Sequence, residues 1–423
     1  MLHKATRLIL ALFISGYAFI EFFSHPSYSG QLAIAPSPSI DVVDDPMTVP
    51  LMLYNEAFLD YRFRTPRIRL FSFNPCLPKN FSINTFINGE KKELYGTPLE
   101  ASCPWKVDEQ CVFNAHTFSL PVPKEFDETE ITLHNSVSNI TLPMRKIKRK
   151  TKQGLTICVQ PVYFYTEFHK IIIFMESWLS QGATKFIVYF HSATPEVMRV
   201  LRHYEEKKIA EIVQWSDFPA LRSKYNRYFP QPNESIYRFG HLQAQNLCAL
   251  KSETDVTAIV DFDEVIAIRN MTTLDFASYT FKKVPKYIFQ TDAVEIASTH
   301  GVYKFIDRKY IKKTLGRNLG ILYHHRYNNE FSSTAVIGSA SIPLMYGFNA
   351  TEAEKRLTDK MKEIFHEAVP PMNYNATTQL AACIAKLKAS KTRCRATGAY
   401  CLAGQQLIRP WTFSNATNLF QFL

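Results

Sequence analysis

Apolar positions change their period near residue 150. Between residues 51 and 143 they fall in short alternating runs broken by Pro, Gly and Asn, clearest at 67–73, 81–87, 111–120 and 131–133, and this pattern predicts a small β-rich domain. From residue 155 onward, continuous apolar runs alternate with helical stripes. A strand at 155–159 leads to a helix at 166–180, where Phe168, Ile171, Ile172, Met175, Trp178 and Leu179 form one face and Gly182 fits the stop. A second strand at 185–190 precedes Thr194-Pro195-Glu196, a helix start followed by the apolar face of Val197, Val200, Leu201 and Tyr204. A third strand at 209–215, a third helix at 236–250 and a fourth strand at 256–260 complete a βαβαβαβ order. That order implies a mostly parallel sheet with helices on both faces. Two amphipathic helices, 352–368 and 377–390, follow near the C-terminus.

The fourth strand ends in the most costly local chemistry of the chain. Within T-A-I-V-D-F-D-E-V-I, residues 257–266, an apolar run delivers Asp261, Asp263 and Glu264 in four positions. Three adjacent carboxylates repel one another unless a cation lies among them. Open α/β sheets place ligands at the carboxyl ends of their strands, and period-2 alternation turns both aspartates to one side and Phe262 to the core. Hard oxygen donors suit Mg²⁺ or Mn²⁺, metals that usually also bind substrate phosphates. The competing reading is a solvated acidic corner.

Composition and charge narrow the setting. The chain has 423 residues, 46% hydrophobic and 21% charged, which excludes a disordered protein and allows two well-buried cores. Its net charge of +11 suits a nucleic acid, a membrane surface or a phosphate-bearing substrate. Lys4 and Arg7 precede an apolar run at 8–23, so residues 1–25 read as a cytoplasmic tail and signal-anchor helix, a type II single-pass arrangement that disfavours nucleic acid as partner. A Ser- and Pro-rich luminal stem at 26–50 follows, then the β-rich domain at 51–144 and a basic linker at 145–153. The α/β domain spans 154–345, and 346–423 form a helical, disulfide-bearing extension. N-glycosylation sequons at Asn80, Asn139, Asn233, Asn270, Asn349, Asn375 and Asn415 agree with a secretory lumen. Eight cysteines agree too, with local pairing expected within Cys76/Cys103/Cys111 and within Cys383/Cys394/Cys401, although spacing leaves connectivity open.

Several stretches together resemble glycosyltransferase family 92: L-Y-N-E-A-F-L-D-Y-R at 53–62, L-T-I-C-V-Q-P at 155–161, the segment 167–189, Q-A-Q-N-L-C at 243–248 and V-D-F-D-E at 260–264. The resemblance implies an A-type glycosyltransferase fold, Rossmann-like, and a Golgi enzyme using Mn²⁺ and a UDP-sugar, UDP-galactose first, to modify a glycan acceptor with inversion. Asp261 and Asp263 would hold the metal, and Asp261 and Glu264 would contact the donor. The resemblance also places a late His-aromatic-Arg motif near His324-His325-Arg326, where a histidine such as His325 could complete the metal shell and His324 or Arg326 could meet the donor. Inversion needs a general base, for which Asp292 and Glu295, just after the apolar run 287–289, are candidates. His300 reads as structural or exposed. Two other readings compete: a relative that binds nucleotide or glycan without turnover, and a D-x-D-x-V phosphatase with Asp261 as nucleophile, whose motif would normally follow the first strand of its domain.

Overall fold

The computed structural model describes residues 49–423 except 78–80, 100–102, 104–107, 136–137, 223–224, 226–227, 269–270, 280–282, 286–287, 299–300, 308–310, 314–319, 325–349, 367–368, 372–373, 391–392, 395–399, 402–409 and 418. The expected anchor, nearly all of the stem, His300, and the sequons at Asn80, Asn270 and Asn349 lie outside them. Among the described residues no helix is long and apolar enough to cross a membrane.

The first half is a single sheet of nine strands. These are β1 (Met52–Tyr54), β2 (Ala57–Asp60), β3 (Arg67–Asn74), β4 (Ser82–Ile87), β5 (Glu90–Pro98), β6 (Asn114–Pro121), β7 (Glu130–His134), β8 (Asn139–Ile147) and the C-terminal strand Phe420–Phe422. Because β2 pairs with β8 on one side and β3 on the other, seven strands close into a ring, which removes their free edges. Alternation fills one shared core with Leu59, Ile68, Leu70, Ile83, Leu94, Phe118 and Leu133. The strand expected at 111–120 starts only at Asn114; before it, Phe113 bridges Ile236 and Cys111 is bonded to Cys394. The linker is also shorter than expected, since Arg145, Lys146 and Ile147 belong to β8.

The second half follows the predicted alternation. Strand β9 (Lys152–Val162) leads to α1 (Phe168–Ser180), β10 (Ala183–Phe190) and the short β11 (Ser192–Ala193). Next come α2 (Pro195–Glu206), β12 (Ala210–Gln214), α3 (His241–Lys251) and β13 (Thr254–Val260). The helix faces are the expected ones: Phe168, Ile171, Ile172, Met175 and Trp178 of α1, and Val197, Val200, Leu201 and Tyr204 of α2, are buried. Gly182, at φ +88°, takes the left-handed position after α1. Four of the sheet's strands are parallel, in the order β12-β10-β9-β13, and an antiparallel strand, β16 (Ile288–Gln290), flanks β13. Numbered from the domain's start this is 3-2-1-4, so the winding direction reverses between β9 and β13. A doubly wound sheet opens a ligand crevice at that reversal.

Beyond β13 lie β14 (Glu264–Ile268), α4 (Thr273–Tyr279), β15 (Lys283–Pro285), β16 (Ile288–Gln290), β17 (Val294–Ser298), β18 (Gly301–Phe305), β19 (Ile311–Lys313) and β20 (Gly320–His324). Helices α5 (Ala350–Phe365) and α6 (Tyr374–Ala389) follow. Strand Phe420–Phe422 then pairs with β1, so the C-terminal extension is stitched into the first sheet. All eight cysteines pair: Cys76–Cys103 and Cys383–Cys401 locally, as expected, but also Cys111–Cys394 and Cys158–Cys248. The last two cross long stretches of chain: Cys158–Cys248 ties β9 to α3, and Cys111–Cys394 ties the segment after α6 to the residues before β6, proximities that spacing cannot reveal.

Buried charges join the two halves. Asp60 accepts from Arg62 at 2.8 Å and Arg69 at 3.2 Å. Arg62 donates onward to the Thr291 carbonyl at 2.9 Å and Arg69 to that of Glu295 at 2.6 Å. Burial alone would raise the Asp60 pKa, but the two guanidiniums outweigh it and hold the carboxylate below its ordinary range.

Candidate active site at the sheet reversal

Strand β13 ends at Val260 and the chain turns through Asp261-Phe262-Asp263 into β14. The turn is held from inside. The Asp261 N–H donates to Glu264 Oε2 at 3.0 Å, the Glu264 N–H returns to the Asp261 carbonyl at 3.0 Å, and Trp178 Nε1 of α1 donates to the Glu264 carbonyl at 3.0 Å. Phe262 is buried as expected, its ring centroid 4.9 Å from that of Phe174 and 5.7 Å from that of Tyr165. Anchoring Phe262 inward turns the two aspartates outward. Both line a cavity of about 390 Å³, a volume within the usual range of ligand sites.

The cavity lies where the topology places a crevice. One wall comes from the end of β9 and the residues after it, including Gln160, Tyr163, Tyr165 and Glu167, and the opposite wall from Asp261 and Asp263. Lys170 stands at the rim, paired with Glu167 at 2.8 Å. Leu380, Ala381, Ile384 and Leu387 of α6 supply an apolar side. Burial, then Glu167 and Asp263, push the Tyr165 phenol well above its ordinary pKa, so it stays neutral.

A cation enters the cavity from a turn that the periodicity hides. The apolar pattern at 236–250 reads as one helix, yet α3 begins only at His241. Before it, Arg238 (φ 46°, ψ 46°), Phe239 (φ 53°, ψ 34°) and Gly240 (φ 73°, ψ 34°) form a left-handed turn. Burial pulls the Arg238 pKa down, but Tyr163, Tyr237, Asp261 and Asp263 more than offset this and raise it. Arg238, Tyr163, Tyr165 and Glu167 were not among the residues the sequence pointed to; Gly240, a helix breaker inside an apolar stripe, was the available signal for the first of them.

The other expected site residues divide. Strand β20 sets His324 opposite Glu264 in antiparallel register, so the backbone brings that position to the acidic corner. His325 and Arg326 lie outside the described residues. Glu264 is a brace of the turn: its carboxylate is buried and occupied by the Asp261 N–H. Asp292 and Glu295 require correction as base candidates. Because β16 runs antiparallel to β13, with Val256 opposite Gln290 and Ala258 opposite Ile288, the chain after β16 emerges at the start of β13, the edge away from Asp261. There Asp292 Oδ2 accepts from the Lys150 N–H at 2.7 Å and Glu295 pairs with Lys304 at 2.8 Å.

The donor set fits a divalent metal. Two carboxylates on one side of a half-enclosed crevice are hard oxygen ligands of the kind Mg²⁺ and Mn²⁺ take. Another tight group among the described residues, Asp108 with Cys111 and Cys394, is no metal site, since its two sulfurs are spent on their mutual disulfide.

The domain is a doubly wound α/β sheet whose acidic corner lies at the reversal, the place where such sheets bind their ligands. The segment 153–283 matches the family model described as Glycosyltransferase family 92. No curated protein matches. Among solved structures, S. aureus TarS 1-349 in complex with UDP aligns at 16% identity over 32% of this chain and 35% of that chain, with a TM-score of 0.21. The same TarS fragment in a structure titled without UDP aligns at 15% identity over the same shares, TM-score 0.21. Amylomaltase from Corynebacterium glutamicum aligns at 9% identity over 34% of this chain and 22% of that chain, TM-score 0.13. The chain thus spans about a third or less of these three solved structures.

Proposed function

We propose that this protein is a metal-dependent, inverting A-type glycosyltransferase that moves a hexose, with galactose the first candidate, from a UDP-sugar to a glycan acceptor in the secretory pathway. The observation that carries the reading is the pair Asp261 and Asp263 facing one cavity at the sheet reversal, inside the segment that matches glycosyltransferase family 92. Asp261 and Asp263 would hold Mn²⁺ or Mg²⁺, which when bound neutralises charge on a diphosphate leaving group. Glu264 and Trp178 keep the two carboxylates aimed at the crevice. Phe262 anchors the turn between them.

In-line inversion also needs a base near the acceptor hydroxyl. With Asp292 and Glu295 at the other edge, Glu167 takes that place, as the carboxylate lining the cavity outside the acidic corner among the described residues. The phosphatase reading loses support, because the D-x-D turn follows the fourth strand of this domain rather than the first. Anchoring through residues 1–25 and a Golgi location complete the proposal.

A panel of nucleotide sugars assayed with and without chelator tests it. Transfer or slow hydrolysis of a UDP-hexose that needs Mn²⁺ is expected. Binding of GDP-sugars alone, or of no nucleotide, would defeat it.

A further inference from the structure

Two of the residues lining the cavity, Phe164 at φ 46° and Arg238 at φ 46°, take the left-handed region, and Phe239, next to Arg238, does too at φ 53°. For residues with a Cβ this conformation is costly, and it persists only where surrounding contacts over-determine it. Such contacts are present on every side. The Phe239 carbonyl accepts from Trp215 Nε1 at 2.8 Å, and the Phe239 ring packs between His191, with centroids 4.3 Å apart, and Tyr163, at 4.9 Å. His191 is itself fixed, with Nε2 2.9 Å from Asp217 Oδ1 and Nδ1 2.9 Å from Ser192 Oγ. Behind the turn, Gly240 sits so close to Phe73 that a Cβ would lie 2.4 Å from the ring.

Three elements of the α/β sheet edge and one strand of the other sheet therefore converge on three residues. What the turn delivers is Arg238, into the same cavity as Asp261 and Asp263, with its guanidinium over the Tyr237 ring at 5.1 Å. A guanidinium held over a ring keeps its planar fork of N–H donors, the form that suits bidentate recognition of phosphate oxygens.

We propose that Arg238 is a catalytic residue that binds the diphosphate of the nucleotide donor beside the acidic corner. This rests on the glycosyltransferase reading and deepens it. Arg238 would accept no proton and form no bond; as the sugar C1–O bond breaks and its electron pair stays with the departing diphosphate, the guanidinium stabilises that charge. A left-handed turn suits this task because it fixes the direction of a long side chain that would otherwise be ordered only on binding.

The test compares the affinities of UDP and uridine, each with Mn²⁺, by titration calorimetry on the wild type, Arg238→Gln and Arg238→Lys, with single-turnover rates on a UDP-sugar. Uridine lacks the diphosphate and so reports an intact crevice. For Arg238→Gln, UDP affinity should fall by at least ~10-fold, the loss expected for a charge-assisted contact, with uridine affinity unchanged and the transfer rate lower still. Arg238→Lys should recover only part of it, since an ammonium is a point charge without the fork. UDP binding to Arg238→Gln at wild-type strength would overturn the assignment, as would equal losses for UDP and uridine, which mark a structural role. If the wild type itself binds neither UDP nor a UDP-sugar, the glycosyltransferase reading fails instead.

Discussion

Glu264 separates a braced turn from a donor ligand, and replacing it gives opposite signatures for the two. In Glu264→Ala the buried Asp261 N–H loses its charged acceptor at 3.0 Å. Hydrogen bonds to charged groups contribute about 1.5–3 kcal/mol, and truncating a buried side chain adds a cavity cost, so the variant should lose on the order of 2–4 kcal/mol. Repulsion works the other way, because removing one of three neighbouring carboxylates relieves like-charge strain. Glu264→Gln isolates the two effects: its Oε1 still accepts from Asp261 while the charge is gone. It should remain within about 1 kcal/mol of wild type. Urea unfolding followed by tryptophan fluorescence measures this directly, since Trp178 is fully buried and donates to the Glu264 carbonyl. Glu264→Gln should also keep the stabilisation produced by Mn²⁺ with UDP. The reasoning is refuted if Glu264→Ala unfolds like wild type while both variants lose the Mn²⁺ and UDP response, for then the carboxylate serves the ligand and not the turn.

Two further outcomes follow from the same geometry. Gly240→Ala places a Cβ at φ +73° against the Phe73 ring and should cost roughly 1–3 kcal/mol, visible as a lower melting temperature; an unchanged melt would remove the claim that this turn is tightly held. His116 is buried and its pKa is pushed down by desolvation to about 4 from an ordinary 6.5, so the folded protein stays neutral there while the unfolded chain takes up a proton. Stability from this group is therefore fully present above pH 6.5 and lost as pH falls toward 4, about 3 kcal/mol in all, and His116→Gln should flatten the melting curve across that window if it folds as the wild type does.

How much of this was legible in the sequence depends on whether the cause was local. The α1 stripe, the β13 run and the inward Phe262 follow from period alone, because each residue's face is set by its neighbours along the chain. The acidic corner was legible for the same reason, as was the mixed α/β character of the domain. Asp292 and Glu295 failed as site residues because an apolar run announces a strand but not its direction, and β16 runs against the sheet. The left-handed turn escaped because Ile236, Phe239 and Leu242 keep helical spacing through it, while the forces that bend it come from Trp215, His191 and Phe73, distant in sequence. Likewise nothing in 420–422 announces that this short segment pairs with β1, or that α6 walls the cavity.

Asp263, proposed as a metal ligand against a nucleotide diphosphate, is probed by Asp263→Asn in thermal melts of the purified protein. The substitution keeps size and shape but removes the charge. Without ligand the melting temperature should stay the same or rise, since repulsion among Asp261, Asp263 and Glu264 is relieved. Adding Mn²⁺ with UDP, which should stabilise the wild type, should then give almost no shift, and transfer should fall by at least ~10²-fold. A variant that melts lower on its own yet keeps the full Mn²⁺ and UDP shift would contradict the account.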